Sequence, residues 1–188
     1  NGNVVNEDAN YGEDFWTELQ TASNSEYQLV SMQVKKSNFI VAAASSFQLQ
    51  LNGKVLRSQL PVFEKEARYA GARLQHHLQA GQTLTLDKLV ALTTNRDFDN
   101  SEVVARALEL VQEFRNCNYE DLLKEQRRAW QAVWQNSDIR IKGDPAAQQG
   151  IRFNIFQLKQ TYTGEDPRLN VGPKGFTGEK YGGGPYWD

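Results

Sequence analysis

Tyr186, Trp187 and Asp188 place an indole next to a carboxylate, directly after the flexible run Gly182-Gly183-Gly184. An indole face can cover the apolar C–H patch of a sugar ring. A neighbouring carboxylate can accept hydrogen bonds from two hydroxyls. Glycine backbone, with no Cβ, lets such a segment crowd a ligand. On composition alone ordinary aromatic packing stays the leading reading of Trp187 and Asp188, with a carbohydrate contact as the alternative that the glycines before them, Gly182 and Gly183 included, weigh toward.

Other combinations carry less. His76 and His77 are adjacent, and on a strand the two rings would point to opposite faces. These are the chain's two histidines and no carboxylates stand at useful spacing, so no metal is expected. The run GPKGFTGEKYGGG has the glycines of a phosphate cradle but not its order: Lys180 is followed by Tyr181, and no strand precedes the run. Glu165 and Asp166 are neighbours, whereas the carboxyl pair of a glycosidase must flank a bond from opposite sides; they read as a solvated turn. Trp130 and Trp134, four apart on a helix, read as a packing anchor. The single cysteine, Cys117, excludes an internal disulfide and has no activating base nearby.

These groups must be positioned by two kinds of element. Phe39 to Leu51 alternates, with Phe39, Val41, Ala43, Phe47, Leu49 and Leu51 on one face and smaller or polar residues on the other. That is the period of a half-buried antiparallel strand, and Asn52-Gly53 is the hairpin turn that ends it. Leu84, Leu86, Val90 and Leu92 repeat the pattern after a turn at Gly81. Tyr27 to Lys35 is a further strand, and Arg68 to Leu78 is expected to pair with the strand after Gly81. The opening NGNVVNEDANYGEDFW reads as loop. Long alternating strands and short turns imply a β-sandwich, with too few strands here to close two full sheets.

The period changes after Asp97. Asp99 and Glu102 have the spacing of a capping box, and Val103, Ala107, Leu110 and Phe114 form a helical stripe. Asn118 can cap a second helix lined by Leu122, Ala129 and Val133. Asp144 and Pro145 open a third, whose stripe is Ile151, Ile155, Leu158 and Tyr162, with Gly164 able to end it. The class is α+β: strands to about Asp97, helices beyond. Of the 188 residues 39% are apolar and the net charge is −2, so a packed core is available and there is no basic footprint for nucleic acid. No run approaches the ~20 apolar residues of a membrane span. The chain opens at Asn1 without methionine or signal-peptide pattern, so a leader could precede it.

The stretch GDPAAQQGIRFNIFQLKQTYTGEDPRLNVGPKGFTGEKYGGGPYWD closely resembles glycoside hydrolase family 65, and NGNVVNEDANYGEDFW and LTLDKLVALTTNRD resemble that family's N-terminal domain. The resemblance covers essentially the whole chain. It implies residues 1–97 as the later part of an N-terminal β-sandwich and 98–137 as a helical linker. It implies 138–188 as the first helix and active-site loop of an (α/α)6 catalytic barrel. Members are typically cytoplasmic homodimers that split an α-linked disaccharide with inorganic phosphate. They invert the anomeric centre to give β-glucose 1-phosphate, and use no metal or organic cofactor. The GFTGEKYGG form of the loop points by resemblance to maltose as donor, with trehalose, kojibiose and nigerose as alternatives. Trp187 and Asp188 would line the glucose subsite on the non-reducing side, and Gly182 to Gly184 would let the loop approach it. Pro185 stands where the family more often has a small or hydroxyl residue. The family's general-acid glutamate lies downstream of this motif, so no catalytic residue is nominated here. A non-catalytic carbohydrate-binding or scaffold module is the reading from another class.

Overall fold

The computed structural model describes residues 15–56, 61–115, 117–161, 164 and 166–168. They hold seven strands followed by three helices. The strands are β1 (Trp16–Ser23), β2 (Gln28–Val34), β3 (Ile40–Leu51), β4 (Lys54–Val55), β5 (Val62–Glu66), β6 (Tyr69–Arg73) and β7 (Leu84–Thr94). The helices are α1 (Val103–Phe114), α2 (Tyr119–Ser137) and α3 (Pro145–Thr161). The described residues group into two compact units that divide between Leu122 and Leu123.

In the first unit β1, β2, β3 and β7 run antiparallel, each beside the next, and the short β4 closes on the end of β3. β3 is the spine. Its register with β7 is unbroken from Val41 opposite Thr94 to Leu51 opposite Leu84. The turn at Asn52 and Gly53 has φ of 50° and 76°, the left-handed pair that a tight hairpin requires. Asn95 joins two further turns: its side chain accepts from the Ile40 amide at 2.9 Å and donates to the Asn38 carbonyl at 3.1 Å.

The alternation of β3 is present, but its faces are used differently from the sequence expectation. The small-residue face, Ile40, Ala42 and Ala44, is the one most completely buried, together with Leu29 of β2. The stripe Val103, Ala107 and Val111 of α1 packs on it. Alanine rows let the helix backbone sit close, and α1 follows β7 directly, so it docks on the nearest face that admits it. The opposite face, with the larger residues, is covered in part by the hairpin β5–β6, which makes the second layer of a partial sandwich. There Ser45, Phe47 and Leu49 line a cleft of about 420 Å³ with Ala70, Gly71 and Ala72 of the hairpin. Ser23 donates to the Gly71 carbonyl at 2.6 Å, and Arg68 donates its guanidinium to the Trp16 carbonyl and its amide to Glu18.

Three local expectations change. β6 pairs with β5, not with the strand after Gly81: Arg68, at φ 60°, makes a two-residue turn with Ala67 that sets Glu66 opposite Tyr69. β1 begins at Trp16, inside the stretch read as loop. The capping box at Asp99 and Glu102 does not form: Glu102 is the N-cap of α1 and its side chain makes no capping bond, while its amide turns back to the Asp99 carbonyl at 2.8 Å.

Candidate functional site

Asn118 caps α2 by accepting from the Glu120 amide at 2.9 Å. Trp130 and Trp134, on successive turns of α2, have ring centroids 6.1 Å apart, and Trp130 meets Phe156 of α3 at 4.9 Å. Trp130 thus packs α2 against α3, with Trp134 beside it on α2. Neither α2 nor α3 has a buried residue among those described. On α3 the expected apolar stripe is only half-covered at Ile151 and Ile155, and Leu158 is 69% exposed.

The start of α3 carries the densest polar geometry of this unit. Asp144 caps it by accepting from the Ala147 amide at 3.0 Å, and Pro145 takes the first helical position, where its missing N–H costs nothing. Gln148 reaches back to the preceding connector: its carbonyl accepts from the Ile141 amide at 2.7 Å and its amide donates to the Ile139 carbonyl at 2.8 Å. Arg152 donates two bonds of 2.8 Å, one to each carboxylate oxygen of Asp138. This fork holds the Asp138 carboxyl below the usual carboxylate range and raises the Arg152 guanidinium.

Beyond α3, Arg168 closes on Asp166, with its amide at 2.9 Å and its guanidinium at 2.6 Å from the carboxylate. That is the solvated turn expected there; its neighbour Glu165 lies outside the described residues. So do Gly182, Gly183, Trp187 and Asp188, the nominated substrate-binding residues. His76 and His77 fall in the irregular run between β6 and β7, not on a strand. No group of three or more His, Cys, Asp or Glu that could hold a metal occurs among the described residues. Cys117 is exposed. Among the described residues, no helix is long and apolar enough to cross a membrane.

Strands are followed by helices in two compact units, and comparison with known proteins finds two regions of one family along the chain. Residues 1–133 match the N-terminal domain of glycosyl hydrolase family 65, and residues 152–188 match the central catalytic domain of the same family. The chain belongs to glycosyl hydrolase family 65. It is 41% identical over 193 residues to the maltose phosphorylase of Bacillus subtilis (strain 168), an alignment covering 100% of this chain and 24% of the relative. It is 36% identical over 161 residues to the α,α-trehalose phosphorylase of Thermoanaerobacter brockii, covering 85% and 20%. With the kojibiose phosphorylase of Halothermothrix orenii the identity is 27% over 166 residues, covering 85% and 21%. A solved structure from the human microbiome, provisionally named a kojibiose phosphorylase, shares the fold. Its TM-score is 0.73 at 23% identity, over 93% of this chain and 22% of that one. The chain thus spans about a quarter or less of the length of these relatives.

Proposed function

We propose that this chain is part of an inverting disaccharide phosphorylase whose donor is maltose, giving β-D-glucose 1-phosphate and glucose with inorganic phosphate as co-substrate. The observation that carries the reading is the 41% identity to a maltose phosphorylase along the entire chain, against 36% over a shorter span for the trehalose enzyme. Within it, Trp187 packs on the non-reducing glucose ring, Asp188 binds hydroxyls remote from the cleaved bond, and Gly182 and Gly183 let the loop approach. The chemistry needs one protonated carboxyl to donate to the glycosidic oxygen. Phosphate, already anionic, replaces the base that an inverting hydrolase needs to activate water. That acid and the phosphate site are assigned to sequence outside these 188 residues, so the chain alone is expected to be inactive. The enzyme uses no metal or organic cofactor, works as a cytoplasmic homodimer, and has neither nucleic acid nor membrane as partner.

The test is phosphorolysis by an enzyme carrying this chain together with a complete catalytic domain, offered maltose, trehalose, kojibiose and nigerose in turn. Maltose should be consumed with release of β-glucose 1-phosphate; preference for another of the four would move the donor assignment within the family. Replacing Trp187 with Ala or Asp188 with Asn should lower kcat/KM by about 100-fold or more, the scale of a lost positioning contact. The reading as a free-standing carbohydrate-binding module predicts instead that the 188-residue chain binds glucose or maltose saturably in calorimetry.

A further inference from the structure

The two family matches leave residues 134–151 between them. In a two-domain protein such a gap is the ordinary place for a flexible linker. The geometry here points the other way. We propose that this segment is a rigid joint, and that Gln148 and Arg152 are positioning residues which fix the direction of α3, the first helix of the catalytic-domain match, against α2.

Asp144, Gln148, Arg152 and Phe156 are spaced four apart, so they form one stripe along α3. Along that stripe the partners lie progressively earlier in the chain. Gln148 takes Ile141 and Ile139, Arg152 takes Asp138, and Phe156 takes Trp130. The connector and the end of α2 therefore lie antiparallel along α3 and are fastened at each turn. Gln148 satisfies one donor and one acceptor of the extended connector, as a neighbouring strand would. The Arg152 fork fixes an angle as well as a distance, because both N–H groups must meet both oxygens in one plane. With no buried apolar residue on either helix, the directional contacts of Gln148 and Arg152 act beside the Trp130–Phe156 ring contact in setting their relation.

The joint can be read directly by distance measurement between spin labels at Gln126 on α2 and Lys159 on α3, both exposed, in a C117S background. With the doubly labelled protein diluted into excess unlabelled chain, so that association adds no distances, a single narrow distribution is expected for the otherwise native chain. Arg152→Met and Gln148→Ala should each broaden it, by about twofold, and Gln148→Ala should speed exchange of the Ile141 amide about tenfold, the local protection being lost. The exchanged pair Asp138→Arg with Arg152→Asp should restore the narrow distribution, which a general loss of stability would not allow. Unchanged exchange in β3 and β7 reports that each variant is folded, and the near-isosteric Asp138→Asn serves if Arg152→Met is not. A broad distribution in the native chain, or variants indistinguishable from it, overturns the proposal.

Discussion

Thr93, on β7, donates its hydroxyl to the carbonyl oxygen of Val103, the first residue of α1, at 2.7 Å and out of contact with solvent. The bond ties the sheet to the helix that covers it across the turn between them. Thr93→Val keeps the shape and deletes the donor, and should lower the unfolding free energy by about 1 kcal/mol in a denaturant titration. Thr93→Ser, which keeps the hydroxyl, should lose less.

The close approach of α1 to the alanine row makes a second test. Ala42→Leu or Ala107→Leu must fit a larger side chain into a filled contact and should destabilise by roughly 1–3 kcal/mol. Ala43→Leu, on the other face of β3 and only half-buried, should cost less. Equal effects of Ala42→Leu and Ala43→Leu would show that α1 does not pack on the Ala42 row.

Acid should loosen the joint between α2 and α3. The Asp138 carboxyl is depressed by the Arg152 side-chain bonds. A group with a lowered folded pKa contributes stability above its unfolded value, near 3.9, and loses that contribution as pH falls through the folded value. Tryptophan fluorescence of the Trp130 and Trp134 region should therefore report a melt that weakens as the solution is acidified below about pH 4. Asp138→Asn should flatten that dependence and show its deficit at neutral pH instead.

Leu86, Val90 and Leu92 lie on the larger-residue face of β7 and are 58%, 58% and 68% exposed. Apolar rows of this kind favour association. The 188-residue chain should self-associate at micromolar concentration in sedimentation velocity, and replacing all three residues with Thr should shift it toward monomer. A native chain that sediments as a monomer at all concentrations would contradict this.

Much of the fold was legible where one local rule acts alone. The β3 alternation, the Asn52-Gly53 turn and the caps at Asn118 and Asp144 are each dictated by a few neighbouring residues, and each is present. What the sequence hid depends on choices between distant segments. β1 carries no strand signal of its own because its polar residues, among them Thr17, Glu18 and Gln20, give no apolar alternation; its partners in β2 make it a strand. The pairing of β6 turned on one residue, Arg68, adopting a positive φ that its type does not advertise. The choice of face on β3 went to a helix arriving later in the chain, and size alone pointed to the wrong side. The joint on α3 is half visible in the sequence: Asp144 and Pro145 announce its cap, whereas Gln148 and Arg152 look like ordinary surface residues until their partners are known. The nominated sugar contacts rest on the family's motif, since they lie outside the described residues.

The long pairing of β3 with β7 has a consequence for biosynthesis. A ribosome releases β3 well before β7, and everything from Asn52 to Thr83 must emerge before the sheet's spine can close. Until then the Ala42 and Ala44 row has no lid, because Val103 to Val111 is made later still. Nascent chains halted before that helix should be the form that chaperones capture, and release should come as α1 clears the exit tunnel.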